Sequence, residues 1–359
     1  MIPMTANAQG VLWPPFQLTE CVIAACGGLE VQLAQMLRNN GVVVRALVGA
    51  AAGLAFKFPG TGSLAAMEGV LANGVGRDVP VLISKVDWIR TKSALAALGC
   101  HRVIFVEDLV FPRRQWNQIF LEELPRFTES PETLAEDMAF LLSGRGGMDA
   151  AASLNAARAA IAFAQEHEIG CCGFGQGDLS MLHPLVHMFA AAAYALTPGP
   201  VIEIGGYVGG LSCTLGKLAA KAGFPVFTFE PGGAHTSHTH LPTSDILGDL
   251  RANLTASGVD RVVLLIPQPF EAAAEAVGEA KATLLVIDAD GNVRDKMAWM
   301  QGRLAPGAWV IVDDYIMGGR RSQSKCFTTR AHIRELIGEG ILTEMDVIGW
   351  GTWIGRYKG

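Results

Sequence analysis

One segment constrains the fold of this chain more than any other: an apolar run that passes directly into a glycine-rich turn and then into a helical pattern. It covers residues 201–212, VIEIGGYVGGLS, with glycines at 205, 206, 209 and 210. Glycine adopts positive φ and lets the backbone approach a ligand closely, while the first N–H groups of the following helix have no partner within it. The segment therefore predicts an α/β fold with a cradle for a nucleotide-like ligand.

A second acid supports this interpretation. Glu230 ends the next apolar run, residues 225–230, PVFTFE. It follows the glycine turn by roughly twenty residues, which is where nucleotide-binding α/β folds carry a carboxylate for the ribose hydroxyls. We therefore expect the glycine turn and Glu230 to bind one ligand between them.

Strand and helix patterns alternate in both halves of the chain, which predicts parallel sheets with helices on their faces. In the N-terminal half, apolar runs predict strands at 20–25, 42–48, 80–84 and 102–106. In the C-terminal half they predict strands ending at Glu203, Glu230, Ile266, Asp288 and Val312, then an antiparallel pair at 341–347 and 350–357. The strand that ends at Val312 is predicted to begin at Ala308, and the next helix at Thr329.

The chain is long enough for more than one domain, and its patterns divide it into four parts. We predict an N-terminal arm at 1–17, a small Rossmann-like α/β domain at 18–112, a helical connector at 113–177 and a larger α/β domain at 178–359. The small domain has its own glycine turn but no acid after its second strand. We therefore expect it to serve assembly or packing, in a homo-oligomer, rather than nucleotide binding.

Charge and cysteine content exclude several classes of protein. The net charge is −6 and no stripe of basic residues occurs, so we expect no nucleic-acid partner. The densest basic stretch, Arg320 and Arg321 with Lys325 and Arg330, is interpreted as a solvated loop and helix face. No apolar run of about twenty residues lacks charge and no export signal is seen, so we expect neither membrane insertion nor export. Seven scattered cysteines fit a reducing cytoplasm.

Residues 178–359 resemble class I S-adenosylmethionine-dependent methyltransferases. The resemblance is carried by motifs in a fixed order, namely EIG at 203–205 with GGLS at 209–212, Glu230, DAD at 288–290, and LAPG at 304–307 leading into VIVDD at 310–314. It implies a Rossmann-like domain with a seven-stranded sheet that binds S-adenosylmethionine. A nicotinamide-binding Rossmann domain is the alternative. The turn GGYVGG, the acid before it and the two late strands count against that alternative.

The resemblance also implies which residues bind the cofactor. Its methionine part would lie beside Gly205, Tyr207 and Gly209. Glu203 would lie behind the turn, and Glu230 would accept hydrogen bonds from both ribose hydroxyls. The remaining residues implied in cofactor binding are Ser212, Gln268, Phe270 and Asp288. Gln268 would read the adenine amine and Phe270 would stack on the ring, although both also fit a plain loop.

Four acids follow the ends of predicted parallel strands, where ligands of open α/β sheets bind: Asp288, Asp290, Asp313 and Asp314. We expect them to converge without a nearby Lys or Arg, and a hard divalent cation would relieve their mutual repulsion. The alternative is local structure, with Asp290 capping a helix and Asp314 forming a turn. Because the pattern resembles metal-dependent O-methyltransferases of the macrolide-sugar type, we predict Mg²⁺ bound by Asp288, Asp313 and Asp314.

The chain departs from that family at one position. The family has a histidine shortly after the acid of the fourth strand, and this chain has Gly291 there. His235, His238 and His240 follow Glu230 closely and are predicted as replacement bases or as ligands of a softer metal such as Zn²⁺, with Asp288 also counted among the catalytic residues. Alternatively these histidines belong to a polar loop. Another possibility is that the metal alone activates the acceptor.

The sequence as a whole predicts metal-assisted O-methylation of a small hydroxylated metabolite. Methylation of nitrogen or another heteroatom without metal, and binding of S-adenosylmethionine without catalysis, remain alternatives.

Overall fold

The computed structural model describes residues 11–13, 16–24, 30–48, 61–62, 79–83, 95, 99–100, 102–105, 131–145, 147–167, 169, 184–236, 242–315, 323–348 and 351–359. Within them no helix is both long and apolar enough to cross a membrane.

The N-terminal part contains a small parallel sheet. A two-stranded antiparallel ribbon precedes it, formed by β1 (Val11–Trp13) and β2 (Phe16–Leu18). The strands of the sheet are β3 (Glu20–Ala24), β4 (Val43–Val48), β5 (Thr61–Gly62), β6 (Val81–Ile83) and β7 (Val103–Phe105), and α1 (Glu30–Asn39) connects the first two. Their order is β5-β4-β3-β6-β7 and every pairing is parallel. The predicted strand and helix alternation is confirmed here.

The C-terminal part is built on a seven-stranded sheet, as predicted. Its strands are β8 (Val201–Ile204), β9 (Val226–Phe229), β10 (Val263–Ile266), β11 (Ala282–Ile287), β12 (Leu304–Val312), β13 (Leu342–Ile348) and β14 (Thr352–Tyr357). The order is β10-β9-β8-β11-β12-β14-β13, in which the first five strands are parallel and β14 is antiparallel to both neighbours. The chain order reverses between β8 and β11, which is where ligands bind in such sheets.

Helices cover both faces of this sheet. They are α2 (Pro131–Phe140), α3 (Ala150–Glu166), α4 (Pro184–Leu196), α5 (Gly210–Ala222), α6 (Ile246–Ala256), α7 (Phe270–Ala273), α8 (Val293–Met300) and α9 (Gln323–Gly338). Alternate residues of β11 enter different cores: Leu284 and Val286 pack with residues of α2 to α6, whereas Leu285 and Ile287 pack with residues of α7 to α9. This alternation follows from the two-residue repeat of a strand.

Two boundaries differ from the prediction by several residues. β12 begins at Leu304 rather than Ala308, because Leu304 pairs with Ala282 before a register shift in the ladder. α9 begins at Gln323 rather than Thr329, which brings the first turns of that helix close to the ends of the parallel strands. In addition, α2 and α3, within the predicted connector, share their core with the seven-stranded sheet.

Candidate active site

The glycine turn joins β8 to α5 and requires glycine at its closest approach to the neighbouring strand. Gly205 has φ +94°, and a Cβ there would lie 1.8 Å from the carbonyl oxygen of Asp288, the residue after β11. Gly209, the N-cap of α5, also has φ +94°, and a Cβ on it would lie 2.6 Å from Leu250 Cδ1. The turn is therefore pressed against the end of β11 at Gly205 and against Leu250 of α6 at Gly209.

Tyr207 occupies the centre of the turn with a backbone conformation unusual for a residue with a side chain. Its φ is +47°, which costs conformational energy and is typical of functional sites. Its N–H donates to Glu230 Oε2 at 2.8 Å, and its ring lies edge-on to the ring of His235, with 6.0 Å between centroids. Burial, with the charges of Asp249 and Glu230, raises the pKa of the Tyr207 hydroxyl to about 12.

Glu230 closes the other side of the cradle. Its Oε2 accepts the N–H of Tyr207 and its Oε1 accepts the N–H of Gly232, both at 2.8 Å. These bonds fix the carboxylate, which is buried within the turn. Each carboxylate oxygen has a second acceptor position, so Glu230 retains the capacity to receive two ribose hydroxyls. The geometry is compatible with the predicted ribose contact.

Glu203 and Ser212 brace the turn from behind. Glu203 is only 2% exposed, and its Oε2 accepts the hydroxyls of Ser212 at 2.5 Å and Thr228 at 2.8 Å. Burial raises the pKa of Glu203 to about 7 despite these two hydrogen bonds. The position of Glu203 agrees with the expectation that it lies behind the turn. Ser212 is fully buried, so its predicted cofactor contact is wrong, because its hydroxyl faces Glu203 instead.

Glu203→Gln is expected to remove a pH dependence from the stability of the protein. The folded state keeps a proton on Glu203 up to a pH of about 7, whereas the unfolded chain releases it near 4.5. This contribution is therefore complete below the unfolded value and is lost as the pH rises towards 7, by on the order of 1 kcal/mol per pH unit. Glutamine keeps an acceptor oxygen and does not titrate.

Thermal unfolding from about pH 5 to about pH 7 measures this effect. The variant should show a flatter dependence of Tm on pH than the wild type. The exposed control Glu279→Gln should follow the wild-type curve. Parallel curves for Glu203→Gln and the wild type would contradict the assignment of the buried proton.

The predicted adenine contacts are only partly compatible with the structure. Phe270 is 1% exposed and lies edge-on to Phe229, with ring centroids 5.0 Å apart. The prediction that Phe270 stacks on adenine is therefore wrong, because its ring belongs to the core. Gln268 is exposed in the loop after β10, and its backbone N–H donates to Ile266. Its side chain remains a candidate for the adenine edge.

Three of the four predicted acids converge at the end of β11 and β12. Ligand oxygens of Asp288, Asp313 and Asp314 all lie within 4.8 Å of one another, and we call these residues the acid cluster. Asp313 Oδ1 accepts the hydroxyl of Thr352 at 2.6 Å, and Asp314 has φ +56°. Metal–oxygen distances for Mg²⁺ and Ca²⁺ put opposite ligands roughly 4–5 Å apart. The donor set therefore fits a hard divalent cation.

Asp290 does not belong to the acid cluster. Its Oδ1 lies 2.5 Å from Nζ of the buried Lys296 and accepts the N–H of Asn292 at 3.0 Å. Burial opposes ionisation, yet the hydrogen bonds from Lys296 and Asn292 lower the pKa of Asp290. The interpretation of Asp290 as the helix cap is also wrong, because Asn292 is the N-cap of α8.

A lysine lies within the acid cluster, contrary to the expectation that no Lys or Arg would be near. Lys325 Nζ contacts Asp314 Oδ2 and lies 3.6 Å from Asp288 Oδ1. Burial lowers the pKa of this ammonium group, but the charges of Asp288 and Asp314 outweigh burial and raise it above its ordinary value. The interpretation of Lys325 as part of a solvated face is therefore wrong. The only signal in the sequence was its place in the densest basic stretch.

Gly291, which stands where the resembled family has histidine, lies against α9. It has φ +85°, and a Cβ there would meet Lys325 Cγ, the Lys325 carbonyl oxygen and Thr329 Oγ1, each at 3.1 Å. Thr329 is fully buried, and its hydroxyl has no hydrogen-bond partner among the described residues. The sequence analysis did not predict the contact between Gly291 and α9, because it placed the start of that helix at Thr329, after Lys325.

Of the three predicted bases, the structure describes His235. Its backbone pairs with Thr243 in an isolated bridge, with N···O distances of 2.8 and 3.3 Å, and its ring faces Tyr207. His235 therefore lies beside the glycine turn. His238 and His240 lie outside the described residues, so their role stays a prediction.

Comparison with known proteins gives one family match and several similar solved structures. Residues 202–315 match a family model described as a methyltransferase domain. Among solved structures, the chain is similar to the methyltransferase PaMTH1 of Podospora anserina, bound to S-adenosylhomocysteine, at 16% identity over 56% of this chain and 88% of that one, with a TM-score of 0.42. No curated protein matches the chain.

Two further solved structures are similar. For the O-methyltransferase TomG of Streptomyces achromogenes, solved with S-adenosylmethionine, identity is 17% over 57% of this chain and 91% of that one, with a TM-score of 0.39. For an O-methyltransferase of Bacillus cereus, identity is 15% over 64% of this chain and 99% of that one, with a TM-score of 0.37. Residues 202–315 are thus similar to a methyltransferase domain, and the strand order and the glycine turn with Glu230 fit the expected class I S-adenosylmethionine-dependent fold.

Proposed function

We propose that this domain transfers a methyl group from S-adenosylmethionine to a hydroxyl oxygen of a small acceptor. One observation carries the proposal: the backbone of Gly205 is pressed against the carbonyl of Asp288, so the cofactor cradle and the acid cluster adjoin. An acceptor at the acid cluster is then next to the methionine end of the cradle. Holding two reactants in contact in this way is a major part of catalysis of group transfer.

The residues of the chain divide the work between binding and orientation. Glu230 holds the ribose, and the glycine turn holds the methionine part. The acid cluster orients the acceptor hydroxyl towards the methyl carbon. A C–O bond forms as the C–S bond breaks with its electron pair left on sulfur, and the hydroxyl proton passes to a base. His235, beside the turn, is the described candidate for that base.

Mg²⁺ is the proposed partner of the acid cluster. Asp288, Asp313 and Asp314 would hold it through carboxylate oxygens, the ligands that this ion prefers. When bound, the ion lowers the pKa of a coordinated hydroxyl and fixes its direction. The chain contributes the three ligands and the hydrogen bond from Thr352 that orients Asp313.

Methyl transfer without metal is the second candidate function, and one observation favours it. Lys325 already brings a positive charge to Asp288 and Asp314. An ammonium group reduces the repulsion between the carboxylates as a metal would, although it provides one charge rather than two. The proposed methyl transfer applies to either case, and addition of a chelator separates them.

The test is release of S-adenosylhomocysteine from S-adenosylmethionine in the presence of a panel of small hydroxylated compounds. We expect acceptor-dependent release that a chelator lowers by about tenfold or more and that Mg²⁺ restores. Asp313→Asn should release S-adenosylhomocysteine as slowly as the chelated enzyme. Asp260→Asn, at an exposed acid outside the acid cluster, should release it like the wild type. Binding of S-adenosylmethionine by calorimetry without release for any acceptor would contradict the proposal and indicate a non-catalytic binding protein.

A further inference from the structure

The first turn of α9 brings Lys325 to the open end of the acid cluster. Its Nζ contacts Asp314 Oδ2 and lies 3.6 Å from Asp288 Oδ1, and the residue is 29% exposed. The two carboxylates that it approaches, those of Asp288 and Asp314, belong to the three residues that each offer a carboxylate oxygen within 4.8 Å of the others. The ammonium group and a metal ion would therefore compete for the same carboxylates.

The packing around Gly291 makes room for this lysine. A side chain at position 291 would meet Cγ and the carbonyl oxygen of Lys325 at 3.1 Å, so even a methyl group would require α9 to shift by a few tenths of an ångström. The positive φ of Gly291 adds strain to any such substitution. The loop after β11 and the start of α9 are thus fitted to each other with Lys325 directed at the acid cluster.

Charge gives the lysine a specific role. Three carboxylates lie close together here, and the Lys325 ammonium brings a positive charge to two of them. Like charges held this close repel strongly, and a counter-ion in contact lowers that repulsion. Two cations at the same carboxylate repel each other as well, so the Lys325 ammonium beside Asp314 opposes binding of a divalent ion by that carboxylate.

We propose that Lys325 is a tethered cation of the acid cluster, and that a divalent metal ion reaches Asp288, Asp313 and Asp314 only by displacing its ammonium group. The inference rests on the proposed function in one respect, namely that the same three aspartates are the metal ligands. Lys325 would then lower the affinity of the acid cluster for metal. It stabilises the cluster in the absence of metal and weakens binding of the ion.

Binding of Mn²⁺ to the full-length protein, without S-adenosylmethionine or acceptor, tests the proposal. Free Mn²⁺ is measured by electron paramagnetic resonance during titration of the wild type, Lys325→Met and Arg330→Met. Arg330 is the matched control because it is a cation on the same helix, and it stacks on Phe327 at 4.9 Å rather than on the cluster. We expect Lys325→Met to bind Mn²⁺ about tenfold more tightly than the wild type, and Arg330→Met to match the wild type.

Asp314→Asn added to Lys325→Met should reverse the gain, since it removes a ligand. Lys325→Gln, which removes the charge and keeps a polar head, replaces Lys325→Met if that variant does not fold. Equal or weaker Mn²⁺ affinity without the lysine charge would overturn the proposal, and so would the absence of Mn²⁺ binding in every variant. Release of S-adenosylhomocysteine, measured separately, reports on methyl transfer, so the failure of one proposal is distinguished from the failure of the other.

Discussion

Gly205→Ala is expected to lower the free energy of unfolding by about 4 kcal/mol or more, the range reached by severe backbone and packing conflicts. A Cβ at this position would lie 1.8 Å from the carbonyl oxygen of Asp288, and the residue has φ +94°. The nearest atom belongs to the backbone of Asp288, the residue after β11, so no side chain can rotate away. Any folded fraction should also lose S-adenosylmethionine, because the turn must move out of the cradle.

Gly223→Ala separates the contact from the backbone conformation. Gly223 is the C-cap of α5, the helix that follows the turn, and has φ +74° with nothing within 4 Å of an added Cβ. It should therefore cost only the conformational strain, about 1 kcal/mol. Urea unfolding gives both values. Similar losses for the two variants would mean that the contact with Asp288 is not what demands glycine at position 205.

Glu230→Ala is expected to weaken binding of S-adenosylmethionine by about 100-fold or more, which corresponds to two hydrogen bonds to a charged acceptor. The carboxylate would receive both ribose hydroxyls, and it also holds the turn through the N–H of Tyr207 at 2.8 Å. Loss of that bond leaves the strained conformation of Tyr207 without its partner. Both effects reduce affinity.

Isothermal titration calorimetry measures the affinity, and thermal unfolding reports whether the variant is folded. Glu279→Ala is the control, because Glu279 is exposed and comes after β10 in the sequence, whereas the glycine turn comes before it. It should bind as the wild type does. Unchanged affinity in Glu230→Ala would show that the ribose is held elsewhere and would remove Glu230 from the cofactor site.

The positions of the strands along the chain and the glycine turn were predictable from local patterns. Apolar runs with a two-residue repeat enter two cores, as Leu284 and Leu285 do, so their presence predicts strands whatever surrounds them. Gly205, Glu203 and Glu230 lie at the ends of such apolar runs, so their places in strands and turns follow from the local sequence. The turn, its partner acid and the final antiparallel pair followed from that.

The wrong predictions for Phe270 and Ser212 share a physical cause. The residue type and its position in the sequence do not determine which atoms its side chain contacts. The sequence position of Phe270 fits a loop that stacks on adenine, but in the structure its ring is buried edge-on to Phe229. Ser212 stands in a ligand-binding turn, yet its first partner is the buried Glu203. Each residue has a plausible local role that a contact with a distant strand replaces.

The sequence by itself determined the α/β class, the seven strands and the glycine turn, because these depend on residues close together along the chain. Only the tertiary structure showed that Lys325 lies against the predicted aspartates. Asp288, Asp313 and Asp314 come from two strands, and Lys325 from a helix that packs on Gly291. Contacts between such separated segments are set by how the helices pack on the sheet, and no local pattern records that lysine among the aspartates.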